Sequence, residues 1–154
     1  MANCEFETKN NVNLEKIGGG VHSYRVLIGY TDDRAHSSGM SARALGQMLS
    51  DPDQEGQYLW PQRSHLDEGV LFNKNEVKRA ARDHYSSMIL RRQSKAFEVG
   101  EAGRQGIVDL LHSSYLKMLY PNAPSTIKRK GSDLPLIDSG ELVSDIEVRV
   151  VEEE

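Results

Sequence analysis

The apolar positions of this chain change their period along its length. From residue 21 to 30 they alternate, with Tyr24, Val26, Ile28 and Tyr30 on one face and Leu27 on the other. That is the two-residue repeat of a strand whose second side is partly covered. Ser41 then opens a short helical segment with Ala44, Leu45, Met48 and Leu49 on a narrow stripe, ended by Asp51-Pro52. A long helix is predicted over 76–96, capped by Asn75, with Val77, Ala81, Tyr85 and Met88 along one side. Gly100, Gly103 and Gly106 read as a loosening of the chain before a second helix over 106–119. That helix carries Ile107, Leu111, Tyr115 and Met118, with Val108, Leu110 and Leu119 widening its apolar face, and is the best candidate for core. The period returns to two at the end, where Ile146, Val148 and Val150 alternate with Asp145, Glu147 and Arg149. The expected fold is α+β: a small antiparallel or mixed β-sheet, its first and last strands candidate neighbours, packed against a helical layer with one long and several shorter helices.

Between the last helix and the last strand lies a stretch of stop and turn signals. Pro121 and Pro124 end the preceding helix, since proline lacks an N–H and restricts its neighbour. Asn122 can cap a helical turn over 126–130, and Gly131 can end it. Leu134-Pro135-Leu136-Ile137 reads as an apolar plug, and Asp138-Ser139-Gly140 as a tight turn. Pro124, Leu136, Ile137 and Leu142 read as packing residues. Elsewhere the pattern is poorer. Residues 1–13 are polar and predict an arm or a short first strand, and Gly18-Gly19-Gly20 is a break. Trp60-Pro61 fixes an extended turn, residues 64–68 open a helical turn, and Val70-Leu71-Phe72 is too short to classify. The chain divides into a polar arm over 1–20, a single domain over 21–151 and an acidic tail over 152–154.

Composition agrees with one domain: 154 residues, 38% hydrophobic, are enough to bury a core. No apolar run approaches the roughly twenty residues that span a bilayer, and no charged-then-apolar leader pattern opens the sequence, so no membrane contact is expected. The single cysteine, Cys4, fits a reducing compartment. The net charge of -4 is unevenly spread. Lys74, Lys78, Arg79, Arg82, Arg91, Arg92 and Lys95 face only Glu76 and Asp83 between residues 74 and 95. At the end Glu141, Asp145, Glu147, Glu152, Glu153 and Glu154 stand against Arg149. Opposite charges at two ends suit head-to-tail association of copies, although two solvated faces give the same pattern.

Chemistry is sparse. His22, His36, His65, His84 and His112 are scattered, with no paired spacing and no partner cysteines. His65-Leu66-Asp67-Glu68 offers metal ligands on paper, but a capped turn explains it better. Cys4 has neither a base nor a supporting site in its segment, no Gly-x-Ser-x-Gly occurs, and Asp32-Asp33 falls in a turn. No enzymatic activity, metal or cofactor is expected. The basic helix of 74–95 and the cluster Lys128-Arg129-Lys130 could neutralise phosphates, which would give backbone-only, sequence-blind nucleic-acid contact.

The carboxy-terminal order Pro-x-x-Pro-Ser-Thr-Ile-x-x-Lys-Gly, a short polar gap, then Pro-Leu-Ile-Asp-Ser-Gly-Glu-Leu and a strand resembles the virion-morphogenesis, or tail-completion, proteins of tailed bacteriophages. Val26-Leu27-Ile28-Gly29-Tyr30 is similar to that family's first core strand, and 39–45 to its glycine-plus-helix segment. Trp60-Pro61-Gln62-Arg63 looks like its Ile-Pro-x-Arg-Pro-Phe element without the second Pro and the Phe. The resemblance implies a structural virion component made in the host cytoplasm. Its copies would form a homo-oligomeric ring in the neck, between portal or adaptor and tail-tube or tail-terminator proteins, close to packaged DNA. The charges expected at subunit interfaces or facing the channel are Lys78, Arg79, Arg82, Arg91, Arg92, Lys128, Arg129, Lys130, Glu152, Glu153 and Glu154. Pro124, Asp138 and Gly140 are the expected turn residues. Replacing Gly140 with Val should impair folding or assembly, because the turn needs a permissive backbone; a variant that folds and assembles normally would refute the turn.

Overall fold

The computed structural model describes residues 3–7, 23–30, 39–44, 46, 65–90, 92–137 and 140–153. The amino-terminal strand β1 (Asn3–Glu7) precedes β2 (Ser23–Gly29). Then come helices α1 (His65–Phe72), α2 (Lys74–Ile89), α3 (Ala96–His112), α4 (Ser114–Leu119), α5 (Pro124–Lys130) and α6 (Glu141–Ser144), and the final strand β3 (Glu147–Glu153). The fold is α+β and mostly helical, with an antiparallel sheet of order β1-β2-β3 packed against α3.

The alternating segments pair as their pattern requires. β2 lies in the middle of the sheet, with Val26 opposite Val150 and Ile28 opposite Val148 in β3. Val26, Ile28, Tyr30 and Ile146 are buried, and Tyr24, Val148 and Val150 pack against the same core. Leu27 is half-buried, so the second face of β2 is partly covered. The segment read as an arm contributes β1, which pairs with β2 from Asn3 opposite Gly29 to Glu7 opposite Arg25. β3 runs on through Glu152 and Glu153, so residues assigned to an acidic tail are largely strand. Ser41 accepts from the Ala44 N–H at 3.2 Å, which caps the short helical segment 42–44 and 46.

The helical boundaries depart from the sequence expectation in an instructive way. α2 ends at Ile89 rather than residue 96, and its N-cap is Asn73 rather than Asn75. The Asn73 side chain instead donates to the Ala102 carbonyl of α3, 3.1 Å away. The three glycines do not break the chain: Gly100, Gly103 and Gly106 lie inside the continuous helix α3. A Cβ at Gly100 would overlap Val148 of β3, one at Gly103 would press on Ile28 of β2, and one at Gly106 would run into the Gly69 carbonyl of α1. Gly69 in turn fits against the backbone of Ile107. Absent side chains therefore let α3 lie directly on the sheet and let α1 cross it at backbone contact.

α3 stops at Ser113, whose extended backbone and hydroxyl start a new helix. Its Oγ donates to the Leu110 carbonyl at 2.6 Å and accepts from the Leu116 N–H at 3.3 Å. The change of direction decides what is buried. Ile107, Leu110, Leu111 and Leu116 are buried, whereas Tyr115 and Met118, expected in the core, are exposed. Leu66, Val70, Val99 and Leu142 complete the interior.

Substituting Gly106 with Ala should lower stability by roughly 2 kcal/mol or more through overpacking against α1, although Ala is about 1 kcal/mol the better helix former. A urea midpoint at or above that of the natural sequence would show that α1 and α3 do not meet there.

Candidate assembly surfaces

The buried polar side chains are committed to packing. His65, the first residue of α1, is fully buried, and its Nε2 shares a 2.8 Å hydrogen bond with the Tyr30 hydroxyl. Burial pushes the Tyr30 phenol far above its usual value, and nearby Asp145 adds to the rise, so Tyr30 stays neutral. The face of its ring is covered by Gly46, where a Cβ would overlap the ring carbons. The His84 ring stands edge-on to Tyr24 with centroids 5.4 Å apart, and its Nδ1 accepts from the Lys95 N–H at 3.2 Å. Burial holds the His84 pKa below its ordinary value, against a smaller opposing pull from Glu98. On α3, His112 donates from Nδ1 to the Val108 carbonyl at 2.8 Å.

His65 and Leu66 face the core while Asp67 faces solvent, so that run is a helix start rather than a ligand set. Among the described residues no group of three or more His, Cys, Asp or Glu could hold a metal ion. No described helix is long and apolar enough to cross a membrane. Cys4 belongs to β1; His22, His36, Asp32, Asp33 and the Trp60 segment lie outside the described residues.

The cationic candidates divide by position. Lys74, Lys78 and Arg82, four residues apart, are exposed along one line of α2 and make no ion pair among the described residues. Arg79 pairs with Glu76 one turn back. Arg92 is exposed in the connection after α2, and Arg91 lies outside the described residues. Lys128 and Arg129 are exposed on α5. Lys130 is half-buried and donates to the Leu134 carbonyl at 3.0 Å, so it is a structural strap. These charges stand on two different helices, α2 with the connection after it, and α5.

Glu152 is exposed on β3 and accepts from the Tyr24 hydroxyl at 3.3 Å. Glu147 and Arg149 form a surface pair at 3.8 Å. β3 is an edge strand, and carboxylates along it oppose unwanted pairing with a strand of another molecule. Glu154 lies outside the described residues.

The carboxy-terminal block folds as a unit between α4 and β3. Pro124 is exposed at the first position of α5 and so starts a helix rather than packing. The N-cap is Ala123; Asn122 donates forward to the Asp133 and Leu134 carbonyls at 3.2 and 3.1 Å. Gly131 ends α5 at φ 71°. Pro135 is fully buried, with Leu136, at φ 59°, and Ile137 packed beside it. Gly140 begins α6 at φ 87°, a left-handed conformation that favours glycine. Asp138 and Ser139 of that turn lie outside the described residues. The Lys117 ammonium, 3.0 Å from Asp133, holds that exposed carboxyl below the usual carboxylate range.

Two apolar surfaces accompany the charges. Leu71, Phe72 and Tyr115 are each more than half exposed and line an open groove of about 410 Å³ with Leu110 at its floor. Glu68 forms its remaining wall, and one carboxylate oxygen, Oε2, is shut off from solvent with no hydrogen-bond partner among the described residues. Met118, 81% exposed, lies one turn beyond Tyr115. The second surface comprises Ile89, Leu90 and Phe97, all exposed, on either side of the α2–α3 connection. A run of three apolar residues sweeps about 200° around a helix. Val70-Leu71-Phe72 and Met88-Ile89-Leu90 therefore cannot bury every member, a sequence signal for both surfaces that charge counting passes over.

Comparison with family models, curated proteins and solved structures finds no match.

Protonation of His84 would place a hydrogen on the nitrogen that now accepts from Lys95. Its contribution to stability is complete above the ordinary histidine pKa near ~6.5 and is lost as pH falls through that value toward the depressed native one. His84→Asn keeps an acceptor without a titrating ring. Urea unfolding at about pH 7.5 and about pH 5 should show a smaller acid loss for this variant than for the natural sequence. Equal losses would remove His84 from the account.

Proposed function

We propose that this chain is a structural protein of a tailed-bacteriophage virion. It forms a homo-oligomeric ring in the neck that joins portal or adaptor to tail, or completes the tail, and acts by protein–protein assembly. The observation that carries the reading is the carboxy-terminal block from Pro121 to Leu142, whose residue order resembles the tail-completion proteins. Its conformation supports this: a helix closed by Gly131, a plug around buried Pro135 and a glycine-started α6 lead directly into the strand that pairs with β2. Exposed apolar side chains beside charged ones at two places supply surface for neighbours.

A second reading, sequence-nonspecific nucleic-acid binding, draws on the exposed line Lys74, Lys78 and Arg82 with exposed Lys128 and Arg129. In a ring the same line could face packaged DNA, so the two readings differ in what the isolated protein does.

Electron-microscopic reconstruction of the particle should place this chain as a ring around the neck axis; necks without it would overturn the assembly reading. For the second reading, affinity for arbitrary duplex DNA should fall with a log–log salt slope of about -3 to -5, corresponding to roughly three to five neutralised phosphates. Salt-independent or undetectable binding would reject it.

A further inference from the structure

The two apolar surfaces sit at opposite ends of α2. Leu71 and Phe72 immediately precede it, Ile89 and Leu90 end it, and its sixteen residues separate them by about 24 Å. They differ in shape and charge. The first is a concave groove walled by Glu68, with Asp67 exposed beside it. The second, called the knob below, is the exposed set Ile89, Leu90 and Phe97, with exposed Arg92 and Lys95 between Leu90 and Phe97 in the chain. The minority charges are also complementary: Lys74 follows the groove and Glu98 adjoins the knob.

We propose that the groove of one copy receives the Ile89–Leu90–Phe97 knob of a second copy, with Arg92 of the incoming copy reaching Glu68. This deepens the assembly reading and rests on it. Glu68, half-buried in the groove wall, presents a carboxylate, and a guanidinium carries several N–H groups in a fork that fits one. Like surfaces do not pair as well. Groove against groove would set Glu68 against Glu68, and knob against knob would set Arg92 against Arg92, in both cases burying like charges. The contact is therefore heterologous. A docked pair keeps one free groove on one copy and one free knob on the other, which is the geometry that closes into a ring when the rotation permits.

Sedimentation of two blocked variants tests this. Leu71→Arg with Phe72→Arg blocks the groove; Leu90→Asp with Phe97→Asp blocks the knob. All four positions are exposed, and circular dichroism verifies the fold. Each variant alone should be monomeric where the natural sequence assembles, with self-association weakened about thirty-fold or more. An equimolar mixture should form 1:1 dimers and nothing larger, because only one competent groove and one competent knob remain per pair. Assembly of either variant alone, or a mixture that stays monomeric, overturns the head-to-tail contact. A natural sequence that never self-associates overturns the ring reading as well, whereas assembly surviving both blocks overturns only this contact. Should a double substitution unfold the chain, single cysteines in a Cys4→Ser background give the second readout. Phe72→Cys and Leu90→Cys copies should cross-link to each other and not to themselves, and the reverse result overturns the contact.

Discussion

The close approach of α3 to its neighbours is the constraint on which the rest of the structure depends. Three glycines spaced by three do not line up along a helix, because each step turns about 300° and falls about 60° short of a full revolution. From Gly100 to Gly106 the gap in the side-chain layer therefore rotates by about 120°. It follows the observed neighbours: Gly100 meets Val148 and Val26 of the sheet, Gly103 meets Ile28 and Val70, and Gly106 meets Gly69 of α1 and Asn73 at the start of α2. One helix thus sets the angle between the sheet and α1. Three interior glycines cost about 3 kcal/mol of helix propensity relative to alanine, offset by the contacts that the missing Cβ atoms permit. With α3 fixed, Val26, Ile28, Val70 and Ile107 share one interior, and His65 and Tyr30 come within hydrogen-bonding distance at its edge.

Where the sequence could be read directly, burial followed a single period over a whole element. β2 and β3 are legible because one face of each lies on the helices, so Val26, Ile28, Val148 and Val150 repeat every second residue. Gly131 and the Leu134–Ile137 plug are legible for a different reason: left-handed backbone and buried proline are local requirements. The α3 glycines were misread because propensity is local and the compensating contacts are not; nothing near Gly103 in the chain announces Ile28 across the interface. The same limit applies at Asn122, whose side chain looks like a helix cap but bonds across to Asp133 and Leu134.

Ser113 shows how one hydroxyl redirects a surface. An uninterrupted helix to residue 119 would keep Tyr115 and Met118 in phase with Ile107 and Leu111. Bonding forward to Leu116 and back to Leu110 restarts the helix, buries Leu116 instead, and turns Tyr115 out to form the groove with Leu71 and Phe72. Charge was visible in the sequence, but which charges remain unpaired was not. Arg79 and Lys130 have partners on their own chain, while Lys74, Lys78 and Arg82 make no ion pair among the described residues.

Exposed apolar surface favours indiscriminate association when it is gathered in one patch. Here that surface is divided between two ends of α2, each flanked by charge, rather than gathered in one large patch. The sheet offers its own route to association through the open side of β3, and carboxylates there make generic strand pairing unfavourable. The two devices act together: acidic edges suppress contacts that any strand could make, and separated apolar ends favour contacts that only the right orientation satisfies. Because both ends are attached to α2, itself held against α3 through Asn73 and the Lys95–His84 bond, their mutual angle is fixed by the core. Were copies to dock through these two ends as proposed, the rotation between them would be a property of the α2–α3 packing, and a shift of α3 on its glycine contacts would change the curvature of the assembly.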